Sequence, residues 1–361
     1  MKDWRENVPL SERTTLAVGG PARYHAVAHD EAELSAILRE AARRELPTLI
    51  LGGGSNLLVS DCGFDGVVVE YAADRIDLHP NGSHVRVDCQ AGAVWDHLVE
   101  RAVSENLAGI ECLSGIPGRV GAAPIQNIGA YGQEVASVVE SARVMERHTG
   151  QSVELPAAEC GFAYRWSRFK GEWQDRYVIT SLRLRLEKHG QASMRYADLK
   201  RRFPEMSRPA LGDVRQAVLE IRRTKSMVYD REDPNHRSAG SFFMNPVVAP
   251  EQAEEVVALA GVADMPRYPA PAGRVKLSAA WLIERAGFPR GYVHGAVGLS
   301  SKHTLALINR GEARAADLVE LARHIRATVR RSFGVTLHPE PIFAGFGHGL
   351  EELLEGDRPP L

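Results

Sequence analysis

The sequence predicts an α+β fold built in more than one unit. Its 361 residues exceed what one hydrophobic core ordinarily organises. Segments with helical spacing of apolar residues alternate with short runs of strand character, and the glycine-rich stretch 109–132 interrupts both patterns. Hydrophobic residues at 44% and charged residues at 25% are globular proportions, which exclude a disordered or fibrous chain. The 44 basic and 46 acidic side chains leave a formal charge of −2, so no nucleic-acid or membrane-surface field is implied.

In order along the chain, Asp30 caps a first helix, with Glu33 in the capping-box place. Leu34, Ile37, Leu38 and Ala41 share one face, and Pro47 stops the run. A short apolar strand, Thr48 to Leu51, then enters the glycine run Gly52-Gly53-Gly54-Ser55-Asn56. Gly66 to Tyr71 reads as a second strand. Val85, Val87 and Cys89 alternate with polar neighbours as in a half-buried strand, and Val94, Leu98, Val99 and Ala102 resume helical spacing. Strands resume at Ala142 to Glu146 and Tyr177 to Leu186. Residues 203–212, marked by Pro204, Pro209 and Gly212, suggest a boundary. Beyond it Val214, Ala217, Val218 and Ile221 make an amphipathic helix ending in Arg222-Arg223-Thr224-Lys225, followed by a polar connection to Ser238. Later helices are predicted over Pro250 to Ala260, Ser278 to Ala286 and Ala315 to Arg330. The segment with Gly345, Gly347 and Gly349 reads as loop.

Four isolated cysteines, Cys62, Cys89, Cys112 and Cys160, have neither knuckle nor dithiol spacing and suit a reducing cytoplasm. Met1 to Arg13 is charged and lacks the apolar core of a secretory signal, and no stretch is long and apolar enough to span a bilayer. The 13 histidines show no metal-binding spacing, so no metal is expected.

Five segments carry candidate chemistry. The run Gly52 to Asn56 serves equally as a tight turn and as an anion nest open to a diphosphate. It is neither the dinucleotide fingerprint, since Leu57 takes the sixth place, nor a lysine-bearing phosphate loop. Ser114-Gly115-Ile116-Pro117-Gly118 and Pro124 to Gly132, with Gln126, Asn127, Gly129, Ala130 and Tyr131, offer backbone donors and amides to a flat polar-edged ring; a self-packed loop has the same composition. Arg165, among aromatics, suits a carboxylate or a stacking contact with Trp166. Ser241 follows Gly240 in an apolar setting, without the second glycine of a nucleophile elbow, and as an acid would need a tuning neighbour. In His338-Pro339-Glu340-Pro341 the prolines limit the backbone freedom of Glu340. Arg222 and Lys225 suit either phosphates or the negative end of their helix.

In this order, and joined by Tyr164-Arg165, Gly240-Ser241-Phe242-Phe243, Asn245-Pro246 and Pro339-Glu340, these runs resemble the UDP-N-acetylenolpyruvoylglucosamine reductase family. These are the MurB flavoenzymes of bacterial cell-wall peptidoglycan synthesis, and the likeness is to their longer, type I branch. It extends from Thr14 to Phe343, and Pro124 to Gly132 is its most specific run.

The resemblance implies a flavin-binding domain of the vanillyl-alcohol oxidase (PCMH) type in two subdomains plus a C-terminal α+β substrate-binding domain. The corresponding division is 1–72 with 336–361, 73–210, and 211–335. It further implies FAD held at the glycine runs, NADPH as reductant, and a UDP-sugar substrate. Hydride passes from flavin N5 to C3 of the enol ether and a proton to C2, giving UDP-N-acetylmuramate. Residue by residue, Ser241 matches the proton donor, and Arg165 and Glu340 match the pair near the substrate carboxylate. Tyr196, Arg222, Lys225, Asn245 and Lys276 match positions that contact the substrate or NADPH phosphates. A cytoplasmic monomer with no nucleic-acid or membrane partner completes the expectation. Residues 226–238 look longer and more charged than the family pattern, and the tail beyond Phe343 matches nothing in it. The alternatives are another flavin oxidoreductase, such as an alcohol oxidase on the same scaffold, and a flavin carrier without turnover.

Overall fold

Helix α1 (Glu31–Arg43) begins where the sequence places it. Asp30 accepts the Glu33 amide at 2.8 Å, and Glu33 reaches back to the His29 amide at 2.8 Å, one residue before the cap. Leu34, Leu38 and Ala41 form its buried stripe. The strand Thr48–Leu51 follows and runs parallel to Phe64–Tyr71, with Thr48 opposite Val67. Both belong to a four-stranded sheet completed by Pro21–Ala28 and Arg5–Pro9. The computed structural model describes residues 4–204, 208–262 and 264–355. Residues 1–3 of the charged amino terminus, 205–207 of the expected boundary and 356–361 of the expected first subdomain lie outside these.

Contacts divide the chain into two units, one of residues 1–8, 22–54 and 65–229, the other of 9–21, 55–64 and 230–361. In the first unit a six-stranded antiparallel sheet contains, in order, Ser152–Pro156, Val139–Glu146, Tyr177–Lys188, His84–Gln90 and Ile76–Asn81. Leu107–Ala108 pairs with the end of Tyr177–Lys188. The alternation of Val85, Val87 and Cys89 is real burial: Val87 faces Leu184 and Cys89 faces Leu182 across the ladder, all inside the core. Helix α2 (Trp95–Ser104) covers that core with Trp95, Leu98, Val99 and Ala102. Helices α3 (Ala197–Arg202) and α4 (Leu211–Arg223) follow.

The expected division at 210/211 would open the last domain with α4; the grouping by contacts instead keeps α4 in the unit that ends at Tyr229 and places 336–361 with 230–335. Helix α4 stays in the first unit because Val214, Ala217 and Val218 bury against Cys112 and Leu199, while Arg215 grips Asp96 of α2 through two bonds of 2.7 and 2.9 Å.

The second unit packs α5 (Pro250–Ala260), α6 (Ala279–Arg285) and α7 (Ala315–Phe333) over a core that includes Phe242, Phe243, Leu282, Leu318 and Ile325. Pro250 starts α5, and left-handed Gly261 ends it. The amides of Ala315 and Ala316 at the start of α7 donate to Asp61 at 2.7 and 3.0 Å. Three strands, Val247–Val248, Val275–Leu277 and Arg267–Pro269, make one small sheet. Val293–His294, Val297–Leu299 and Leu307–Asn309 make another. Ile342–Ala344 lies parallel to Leu57–Val59. The segment with Gly345, Gly347 and Gly349 is loop, but the tail beyond it is not: Leu350–Glu355 forms helix α8, its Leu353 and Leu354 buried and its Glu351 bonded to the buried Arg326 of α7 at 2.5 Å. Among the described residues, no helix is long and apolar enough to cross a membrane.

Candidate active site

In the first unit, the strand Thr48–Leu51 delivers Gly52, Gly53 and Gly54 against a second glycine run. A methyl group on Gly53 would stand 2.8 Å from the Gly118 Cα, so the two backbones touch and only glycine fits. Ser114, Gly115, Ile116, Pro117 and Gly118 are fixed from α2. The Trp95 amide donates to the Gly118 carbonyl at 3.0 Å, and Asp96 accepts the Gly115 amide at 2.6 Å. Burial opposes the charge on Asp96, but the bonds from Arg215 and Gly115 outweigh it and hold the carboxyl below its usual range. Ser114 is fully buried and donates to the Glu111 carbonyl at 2.7 Å, so its hydroxyl ties down the loop.

The next run, 124–132, is more regular than its composition suggests. Gly129–Ala130 and Gln133–Glu134 pair as a hairpin whose two turn residues, Tyr131 (φ 50°) and Gly132 (φ 84°), are both left-handed. That is the primed turn that matches strand twist. Gln126 precedes it in a turn and is half-buried. Asn127 is buried and also left-handed (φ 47°). Its Nδ2 donates to Glu134 at 2.9 Å and to the Ala163 carbonyl at 3.0 Å, and its Oδ1 accepts the Ala136 amide at 3.0 Å. The Asn127 amide therefore staples the hairpin to the loop carrying Arg165. Arg165 (φ 53°) donates from Nη2 to the Gly129 carbonyl at 2.8 Å and lies over Tyr164, 5.6 Å from its centroid; Trp166 is instead 46% exposed. Three non-glycine residues in left-handed conformation, at about 1 kcal/mol or more each, converge on the residues singled out by sequence.

Arg222 leaves the end of α4 and turns back to the Met227 carbonyl at 2.6 Å. Its Nε is buried with no hydrogen-bond partner, 3.4 Å from where a Gly115 side chain would begin. Burial lowers its basicity, and the like charge of Arg165 acts in the same direction against Tyr131 and Asp96. Burial also pushes Tyr131 up to about 12. Tyr196, immediately before α3, meets Tyr131 edge to face with centroids 5.3 Å apart. Lys225 pairs with Asp198 at 3.6 Å.

The second unit holds the remaining sequence-derived residues: Ser55, Asn56, Ser241, Asn245, Lys276 and Glu340. Here Ser241 to Met244 runs beside His338 to Glu340. Phe243 faces Pro339 in an antiparallel bridge, and Met244 donates to His338 at 2.9 Å. Asn56 joins the same strand, accepting the Ile342 amide at 3.0 Å and donating from Nδ2 to the Glu340 carbonyl at 3.3 Å. Asn245 accepts the first amide of α6, from Ala279, at 2.9 Å. Lys276 sits opposite Val247 and Tyr268 in its small sheet, its ammonium 6.0 Å from the Tyr268 ring centroid. Arg165 therefore belongs to the first unit, and Ser241 and Glu340 to the second. Sequence reasoning passed over Asp96 and Glu111, most of whose side-chain partners are distant in the chain and leave no local motif.

Residues 22–156 match the FAD binding domain family, and residues 233–344 match the C-terminal domain of UDP-N-acetylenolpyruvoylglucosamine reductase. The chain is 50% identical over 349 residues to UDP-N-acetylenolpyruvoylglucosamine reductase of Thermobifida fusca, covering 94% of this chain and 97% of the relative. To the protein of the same name from Streptomyces coelicolor it is 44% identical, covering 94% and 90%. The crystal structure of UDP-N-acetylenolpyruvylglucosamine reductase from Thermus caldophilus superposes with a TM-score of 0.66 at 28% identity, over 95% of this chain and 100% of that one. With half its residues shared across nearly the full length of a relative, and both halves of the chain matched separately, the protein belongs to the UDP-N-acetylenolpyruvoylglucosamine reductase family.

Proposed function

We propose that the protein reduces UDP-N-acetylglucosamine enolpyruvate to UDP-N-acetylmuramate, with bound FAD and with NADPH as the reductant. The observation that carries this reading is an FAD binding domain followed by the reductase C-terminal domain in a chain 50% identical to a relative of that name, together with the Ser241 and Glu340 segments lying side by side in one unit. The first unit suits a flavin. Its two glycine runs meet backbone to backbone at Gly53 and Gly118, a seat that any Cβ would fill. Gly52, Gly53, Gly54, Ser55 and Asn56 would hold the cofactor together with Ser114 to Gly118 and the 126–131 run.

FAD, held at the glycine runs, would supply the hydride chemistry that links NADPH to C3 of the enol ether. The chain's own residues then manage charge and proton. Negative charge grows on C2 and the adjacent carboxylate as C3 is attacked, and Arg165 stabilises it as it develops. Glu340 orients the substrate carboxylate. Ser241 gives its hydroxyl proton to C2, and a neighbouring donor restores that proton. Tyr196, Arg222, Lys225, Asn245 and Lys276 hold the diphosphate and sugar, the lysines as point charges.

The reading includes a cytoplasmic, monomeric enzyme, for which the buried Cys89, Cys112 and Cys160 and the exposed, free Cys62 are suited. The test is the absorbance spectrum of the purified protein followed by titration. The yellow protein should bleach with NADPH and recover its colour with the enolpyruvyl sugar nucleotide. A protein that stays colourless when offered FAD contradicts the reading.

A further inference from the structure

Glu111 is wholly buried, and the reductase reading gives it no part. Its carboxylate oxygens accept bonds from three segments far apart in sequence. Oε2 accepts the Gly109 amide at 2.8 Å. Oε1 accepts Gln133 Nε2 at 2.7 Å and the Ser193 amide at 2.7 Å. Cys112 strengthens the same junction: its amide donates to Gln133 Oε1 at 2.8 Å, and its thiol donates to the Ser193 carbonyl at 3.4 Å.

Each segment leads directly to a residue of the candidate site. Gly109 to Leu113 enters the glycine run Ser114 to Gly118. Gln133 closes the hairpin whose turn is Tyr131 and Gly132 and whose Gly129 carbonyl receives Arg165. Ser193 begins the path to Arg195 and Tyr196. That path crosses the hairpin tip so closely that a methyl group on Gly132 would stand 2.9 Å from the Arg195 Cβ. The Tyr131 and Tyr196 rings meet immediately beyond. Desolvating a carboxylate without a full set of donors is costly, and three charge-assisted bonds offset that cost here.

We propose that Glu111 is a positioning residue that sets the Tyr196 segment against the Tyr131 hairpin, in the place needed to hold the sugar nucleotide. This role rests on the reductase reading above. Glu111 touches neither substrate nor cofactor; it acts through Ser193 and Gln133. Glu111→Gln retains the volume but puts an NH2 group where an amide donor already points, so one of the three bonds is lost.

The test separates the two half-reactions of the FAD-loaded protein. For Glu111→Gln, bleaching by NADPH stays within about twofold of the parent. KM for UDP-N-acetylglucosamine enolpyruvate in the recolouring step rises about tenfold to a hundredfold, the scale expected for a displaced binding group. Amide hydrogen exchange at Ser193 accelerates in the same variant. A KM unchanged within twofold overturns the proposal. So does a parallel loss of both half-reactions with flavin release, which marks a general structural role. Should Glu111→Gln fail to fold, Gln133→Met removes one donor with little change in volume and is held to the same split. The parent protein is run alongside: if NADPH bleaches it and the sugar nucleotide never recolours it, the reductase reading itself falls, without reference to any variant.

Discussion

The Glu340 backbone amide donates to the carbonyl of Phe242 at 2.8 Å, placing the strand of one proposed catalytic residue beside the neighbour of the other, Ser241. Phe242 is fully buried, and its amide is in turn held by the Leu305 carbonyl at 2.7 Å. The Ser241 hydroxyl therefore hangs from a fixed backbone, as a proton donor requires.

If Ser241 supplies the proton, Ser241→Ala splits the reaction. Flavin bleaching by NADPH stays near the parent rate, while recolouring by the sugar nucleotide slows about 10²- to 10⁴-fold, the usual contribution of a general acid. Stopped-flow absorbance reads both steps. Rates unchanged from the parent in both steps would remove Ser241 from the proton path.

The contact between the two glycine runs gives a prediction about cofactor retention. A methyl group at Gly53 would meet the Gly118 Cα at 2.8 Å, well inside any real carbon contact, and neither backbone has a flexible end to yield. Gly53→Ala should be isolated pale or colourless, with FAD affinity down by at least about tenfold, about 1.4 kcal/mol. Flavin fluorescence titration checks this. Unchanged affinity would mean that the two runs do not form the cofactor seat.

Glu31 makes a pH prediction. Its carboxylate accepts from Arg143 at 2.7 and 2.9 Å, from Thr180 at 2.6 Å and from Ser152 at 2.9 Å, linking α1 to the six-stranded sheet. The Arg143 bonds, helped by the two hydroxyls and opposed by burial, lower its pKa to about 2. The folded value lies below the unfolded one, so the stabilisation is complete above about pH 4.5 and disappears as pH falls toward 2. With solvent screening of the half-exposed Arg143, the loss in Glu31→Gln at pH 7 should be about 1–2 kcal/mol. Urea unfolding across pH should show the two proteins converging at the acid end. A constant difference down to pH 2 would exclude this linkage.

What was legible from sequence followed from short-range chemistry. Asp30 with Glu33, Pro250 before α5, and the alternation at Val85, Val87 and Cys89 each announce an element within a few residues. The glycine runs were legible for the same reason, because a close backbone approach needs glycine at that very position. The edge strand Arg5–Pro9 was not, since four of its five residues are exposed and no periodicity survives. Helix α8 has only six residues behind three glycines, and its order comes from the Arg326 and Glu351 pair across the fold. Glu111 and Ser193 are 82 positions apart, so nothing local marks either as a site residue. The hairpin at 129–134 was hidden by Tyr131, which takes a left-handed place where asparagine or glycine would have signalled the turn.

Arg165 supplies the last prediction. Its Nη2 is committed to the Gly129 carbonyl at 2.8 Å, and its guanidinium lies over Tyr164, so the planar fork is oriented before any ligand arrives. A lysine retains the charge but has neither the fork nor the stacking plane, and it cannot hold Gly129 and a carboxylate oxygen in one rigid geometry. The group is needed most as charge grows on the substrate carboxylate. Arg165→Lys should therefore lower the rate constant of flavin recolouring about 10²-fold, with a smaller rise in KM for the sugar nucleotide and bleaching by NADPH little changed. Single-turnover kinetics at saturating sugar nucleotide would measure it. A rise in KM alone, at full rate constant, would assign Arg165 to ground-state binding and leave the developing charge to another group.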